Sequence, residues 1–150
     1  MNLDKFEKII NEAFEIKEKI NANSDESIIE TIKETIELTD QGKIRVAEKK
    51  EGTWIVNQWV KKAILLSFKI NKMEILRGPY TSWYDKVPGK SVNWKEEDWK
   101  KAGYRHVPNG VVRKGSFIAK NAVLMPCFVN LGAYVDEGTM IDTWASVGSC

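Results

Sequence analysis

The chain has 150 residues, 29% of them charged and 43% apolar, with a formal net charge of +2, a balance that excludes both a disordered chain and a strongly basic nucleic-acid binder. No stretch approaches the roughly 20 apolar residues of a membrane span, and Asp4, Lys5, Glu7 and Lys8 interrupt what would otherwise be the start of a secretory signal. Two cysteines, Cys127 and Cys150, are too few and too far apart for a disulfide framework or a zinc cluster, so we expect a cytoplasmic protein with no nucleic-acid, membrane or metal partner.

Leu3, Phe6, Ile9, Ile10, Ala13, Phe14 and Ile20 fit one face of a helix, and Ile28, Ile29, Ile32 and Ile36 fit one face of a second. Ser24 or Ser27 can cap the second helix, Glu30 stands three residues after Ser27 as in a capping box, and Gly42 can end it. The two helices are expected to pair antiparallel. Strands are expected at 43–48 and 53–60 around a Glu51-Gly52 turn, followed by a helix over the apolar run 63–68. The stretch 80–104, rich in Trp, Tyr, Lys and Pro, reads as a long surface connection.

Only six of the charged residues, Arg113, Lys114, Lys120, Asp136, Glu137 and Asp142, lie beyond residue 110, and Pro108-Asn109-Gly110 is a turn cluster. The chain is therefore expected to divide into a mixed α/β domain with a helix pair over 1–110 and a second domain over 111–150. In the second, a branched or aromatic residue returns at every sixth position: Val111, Phe117, Val123, Val129, Val135, Ile141 and Val147. Four residues after each of the first six stands something small or polar, namely Gly115, Asn121, Cys127, Ala133, Thr139 and Ala145. A period of six fits neither helix nor simple strand, but it fits the flat sides of a parallel β-helix, three sides to a coil. The run stops inside the hexapeptide that begins at Val147, and an unfinished coil would expose apolar surface and strand edges, so a longer parent protein is expected.

The segments Arg45-Val-Ala-Glu-Lys49, Trp59-Val-Lys-Lys-Ala-Ile-Leu-Leu-Ser-Phe68, Tyr84-Asp-Lys-Val-Pro88 and above all Gly132-Ala-Tyr-Val-Asp-Glu-Gly-Thr-Met-Ile-Asp-Thr-Trp-Ala-Ser-Val-Gly-Ser-Cys150 resemble the tetrahydrodipicolinate N-succinyltransferases. The resemblance runs in order over nearly the whole chain. It implies an α+β N-terminal domain followed by the first coils of a left-handed parallel β-helix, here truncated, from a homotrimer of lysine and diaminopimelate biosynthesis. The implied reaction moves succinyl from succinyl-CoA, a co-substrate, to the amine of a small dicarboxylate derived from tetrahydrodipicolinate, with no permanently bound cofactor. Coenzyme A-binding residues are unidentified and expected mostly beyond Cys150, so the 150-residue piece alone is expected to be inactive.

Two site residues follow from the resemblance. Arg105, in Gly103-Tyr-Arg-His-Val-Pro108, matches the arginine that holds the dicarboxylate, and Asp142, in Met140-Ile-Asp-Thr-Trp144, matches the catalytic aspartate near the acylated amine. A planar guanidinium suits bidentate carboxylate binding, and a carboxylate can orient an amine and take up its proton. On spacing alone Asp142 stands where Asn130, Asp136 and Gly148 stand, a corner-turning place, and the resemblance favours substrate contact instead. His106 and the pair Cys127-Phe128 depart from the residues usual in the family. Alternative readings are another CoA-dependent hexapeptide acyltransferase with an acetyl donor, and a non-catalytic β-helix scaffold.

Overall fold

The computed structural model describes residues 2–78 and 80–150. The chain forms two compact units, one of Met1–Leu38 with Val46–Pro88, the other of Thr39–Arg45 with Gly89–Cys150.

In the first unit, α1 (Leu3–Glu15) is capped by Asn2, whose Oδ1 accepts the Lys5 amide at 3.1 Å, and it buries Ile10 and Ala13. A short 3₁₀ turn, Lys17–Lys19, brings Ile20 back into the core. Helix α2 (Glu26–Asp40) is capped by Asp25 and not by either serine expected. The Asp25 carboxylate accepts both the Ser27 amide at 2.8 Å and the Ser27 hydroxyl at 2.6 Å, which leaves Ser27 inside the first turn. Strands β1 (Ala47–Lys50) and β2 (Thr53–Val56) pair antiparallel around Glu51 and Gly52, both at positive φ, so the turn stands where expected.

The second expected strand overruns by several residues, because α3 (Gln58–Ile70) begins soon after β2 and extends well past both ends of 63–68. Trp59, Val60, Ala63, Ile64, Leu66 and Ile70 recur at helical spacing and are all buried, a stripe longer than its apolar centre suggested. The helix packed most closely on α1 is α3, not α2. The span read as a connection instead opens with the second strand of another hairpin, β3 (Glu74–Arg77) with β4 (Ser82–Asp85), in which Ile75 pairs with Tyr84 and Leu76 with Trp83. Ile75, Trp83 and Tyr84 are exposed, so neither face shows the alternation that marks a half-buried strand.

The second unit opens with the segment Thr39–Arg45, where Gly42 at φ 70° ends α2 with its amide on the Thr39 carbonyl at 3.0 Å. After residue 89 comes α4 (Glu96–Ala102), held at its start by Asp98, whose Oδ2 accepts the Lys95 amide at 2.8 Å, and closed by Gly103 at φ 67°. Eight two-residue strands follow: β5 (Arg105–His106), β6 (Val111–Val112), β7 (Phe117–Ile118), β8 (Val123–Leu124), β9 (Phe128–Val129), β10 (Tyr134–Val135), β11 (Met140–Ile141) and β12 (Ser146–Val147). They stack in parallel as three sheets, β5 with β8 and β11, β6 with β9 and β12, and β7 with β10, which is the start of a parallel β-helix.

The phase of the repeat differs from the unbroken series of sixes. Inward side chains are the second residues of the strands, with Val112, Ile118, Leu124, Val129 and Val135 buried, while Val111 is exposed and Phe117 and Val123 are half-buried. Leu124 and Val129 are five apart, not six. Val111 consequently pairs with Phe128, seventeen residues on, whereas Phe128 pairs with Ser146, eighteen on. The small inward residues shift likewise, to Ser116 and Ala122 in place of Gly115 and Asn121.

The cause sits at Pro126. The corners of the coil are turned by residues at positive φ, namely Asn109, Gly115, Asn121, Gly132, Gly138 and Trp144, each six from the last except across Pro126. A proline ring holds φ near −65° and cannot take a left-handed corner, so that side closes with one residue fewer. Trp94, Trp99 and Ala102 pack on the inward cluster as a lid, with Trp94 and Trp99 edge to face at 4.8 Å and Trp99 against Tyr104 at 5.8 Å.

Candidate functional site

Arg105 opens β5, and its amide donates to the Ala122 carbonyl at 2.9 Å. Its side chain is exposed, and among the described residues its guanidinium has neither an ion pair nor a hydrogen bond. His106, next along, turns inward between Trp99 and Tyr104, with ring centroids 5.9 and 6.4 Å away. Burial pushes its pKa below the ordinary imidazole value, partly opposed by a hydrogen bond with the Gly110 backbone, and its Nε2 is buried without a partner among the described residues. His106 is thus a neutral part of the aromatic lid.

Asp142 follows β11 and turns a corner. Its Oδ1 accepts the Thr143 amide at 2.7 Å while its carbonyl accepts the Ala145 amide at 3.1 Å. Asn130 does the same with Leu131 at 2.9 Å and Ala133 at 3.2 Å, and Asp136 with Glu137 at 2.9 Å and Thr139 at 3.3 Å. The corner contact uses one carboxylate oxygen of Asp142. The other, Oδ2, has no hydrogen-bond partner among the described residues, and the side chain is exposed.

Parallel register relates the two residues. Arg105 pairs with Val123, which pairs with Met140, so the three stand in one column across the sheet, and Asp142 lies two residues beyond Met140. Side chains alternate along a strand, and Ile141 is the inward one, so Arg105 and Asp142 emerge on the same outward face. Two strand spacings and two residues of rise put their Cα atoms about 12 Å apart.

Trp144 was passed over in the sequence. It is 83% exposed beside Asp142 and holds φ 59°, in a corner place six residues after Gly138 and twelve after Gly132. A bulky residue at a left-handed corner is strained, and such strain gathers at working surfaces. The readable signal was a tryptophan standing in register with two glycines. Cys127, by contrast, is buried in the coil, and burial pushes its thiol pKa up, away from nucleophilic use.

Among the described residues no group of three His, Cys, Asp or Glu side chains is placed to hold a metal ion, and no helix is long and apolar enough to cross a membrane.

Residues 5–70 match the family described as tetrahydrodipicolinate N-succinyltransferase N-terminal. A 2,3,4,5-tetrahydropyridine-2,6-dicarboxylate N-succinyltransferase of Pelagibacter ubique is 65% identical over 138 residues, which are 90% of this chain and 50% of the relative. The chain is similar to the N-terminal half of tetrahydrodipicolinate N-succinyltransferases. Succinyltransferases of the same name from Parvibaculum lavamentivorans and Nitrobacter hamburgensis are 49% and 50% identical over 153 aligned positions, covering 100% of this chain and 54% of each relative. The chain spans about half the length of the curated succinyltransferases it matches. The Arg105 and Asp142 segments both fall within the matched span.

Proposed function

We propose that the full-length protein carries out the reaction named for its relatives, transferring succinyl from succinyl-CoA to the amine of a tetrahydrodipicolinate-derived dicarboxylate in lysine and diaminopimelate biosynthesis. The observation that carries this reading is the register that sets Arg105 and Asp142 on one outward face of the coil, about 12 Å apart. Arg105 binds a substrate carboxylate through its two-pronged guanidinium. Asp142, with Oδ1 engaged at the corner, offers Oδ2 to the amine. The amine nitrogen attacks the thioester carbonyl, the carbon–nitrogen bond forms as the carbon–sulfur bond breaks, the amine proton passes to the carboxylate, and coenzyme A leaves as its thiolate. No covalent enzyme intermediate and no resident cofactor are required.

The working protein is a cytoplasmic homotrimer in this reading, and residues that grip coenzyme A belong to the length of the relatives that this chain does not span. The 150 residues alone turn over no substrate. The test is thiol release by the full-length protein with the imine substrate and either succinyl-CoA or acetyl-CoA, for the natural sequence and for Arg105→Lys. Succinyl-CoA should be the better donor, and the lysine variant should bind substrate more weakly by about 1 to 3 kcal/mol. Faster release from acetyl-CoA would change the donor assignment. An unchanged KM would remove Arg105 from the site.

A further inference from the structure

A second site is suggested within the coil-bearing unit, away from the sheet that carries Arg105 and Asp142. A cleft of about 330 Å³ opens between α4 and β7. Its apolar walls include the rings of Trp94, Tyr104 and Phe117. Three lysines and two aspartates also line it, and they are not equivalent. Lys90 directs its ammonium group to Asp40 Oδ2 at 2.8 Å, the Asp40 carbonyl at 2.9 Å and the Ser116 carbonyl at 2.9 Å, so Lys90 and Asp40 neutralise one another as part of the framework. Asp98 has an oxygen on the Lys95 amide. Lys101 and Lys120 are exposed and make no ion pair among the described residues. The cleft therefore keeps one positive charge in excess.

The hydroxyl of Tyr104 adds a second, independent observation. It is buried and meets no hydrogen-bond partner among the described residues, although Tyr104 lines the cleft. The hydroxyl is thus an unused donor on a residue that lines the cleft. Burial and the nearby Asp40 carboxylate both push the phenol pKa up, which keeps the group a hydrogen-bond donor. Aromatic walls favour a flat apolar body, paired cations at the rim favour a single anionic group, and the hydroxyl favours an oxygen acceptor. The volume lies at the low end of the range for small-molecule sites, which suits one or two rings and is too small for a nucleotide cofactor.

We propose that this cleft binds a small aromatic carboxylate, its ring against Trp94 and Phe117 and its carboxylate toward Lys101, Lys120 and the Tyr104 hydroxyl. The site is separate from the acyl-transfer face and does not depend on that activity.

The test titrates the full-length protein with 2-naphthoate by calorimetry, with tryptophan indole resonances followed in parallel. Saturable binding at one site per chain is expected, shifting the Trp94 indole signal. Reversing both rim charges, Lys101→Glu with Lys120→Glu, should weaken binding at least tenfold without moving the melting temperature, because both side chains are exposed. Tyr104→Phe should weaken binding several-fold while leaving the empty protein at least as stable, since it removes an unpartnered hydroxyl. Absence of saturable binding at millimolar ligand would overturn the proposal. So would equal affinity for the neutral 2-naphthalenemethanol, or loss of binding in Arg105→Lys, which would put the ligand on the other face.

Discussion

Asp142 holds a corner and is assigned a proton, and the two duties separate by substitution. In Asp142→Asn the oxygen that accepts the Thr143 amide at 2.7 Å is retained, as Asn130 retains it for Leu131 at 2.9 Å two coil sides earlier in the same kind of corner. What is lost is the charge on an exposed side chain, so the fold should weaken by less than about 0.5 kcal/mol. Asp142→Ala removes the acceptor itself and should cost about 1 kcal/mol, a fall of roughly 2 to 4 °C in melting temperature for a protein of this size class. Turnover should behave differently. Both variants lose the carboxylate and should fall by roughly 100- to 10,000-fold in succinyl transfer, the effect typical of losing a positioned acid–base group. The assay is thiol release from succinyl-CoA by the full-length protein, set beside a thermal melt of the same samples. An asparagine variant that turns over within about threefold of the natural protein would refute the catalytic assignment and leave Asp142 as a corner residue. An asparagine variant that melts as early as the alanine variant would refute the corner argument.

Three further outcomes are expected. Lys90→Met should destabilise the protein by about 3 to 5 kcal/mol in urea unfolding, because Lys90 and Asp40 have side chains only 6% and 16% exposed and the change strands the Asp40 carboxylate; Asp40→Asn in the same chain should recover part of the loss. His106 has its folded pKa below the ordinary 6.5, so below about that pH the unfolded chain binds the proton more readily and stability falls as pH drops; His106→Leu should flatten melting temperature between pH 7.5 and 5.5. Gly42→Ala should cost about 2 to 3 kcal/mol, since Gly42 holds φ 70° and a Cβ there would meet the Phe117 ring at 2.7 Å, whereas Gly52→Ala, at φ 82° with open space around it, should cost only the backbone strain of about 1 to 2 kcal/mol. Equal losses at the two glycines would mean that Phe117 yields freely.

Much of the coil was readable because its period has no competitor: six residues per side belongs to stacked short strands. The phase was not readable, since Val111, Phe117 and Val123 are as apolar as the true inward residues Val112, Ile118 and Leu124, and only Pro126 hints at the short side. The Glu51-Gly52 turn and the helix end at Gly42 were legible because positive φ has few chemical solutions. The hairpin of β3 and β4 was hidden by exposed aromatics on both faces, and α4, seven residues long, is too short to display a periodic stripe. Arg105 and Asp142 were singled out by their flanking residues, but their common face depends on strand register, which thirty-six intervening residues with one shortened side do not reveal by counting sixes.

The aromatic lid gives the coil a direction. Strands β5, β6 and β7 each hydrogen-bond to a single neighbouring strand, on the side of β8, β9 and β10, and Trp94 and Trp99 cover the inward cluster from the α4 segment that immediately precedes them. At β6 the chain also occupies the free edge, with the Lys90 amide on the Val112 carbonyl at 2.7 Å and Gly89 bridging Arg113, which leaves less open edge there for a strand from another molecule. The contact is local in sequence, since ten residues separate Trp94 and five separate Trp99 from the first strand they cover, so closing this end costs little loop entropy. The solenoid is thus capped at this end, and each coil meets only its neighbours, so an error in a late coil need not disturb the first.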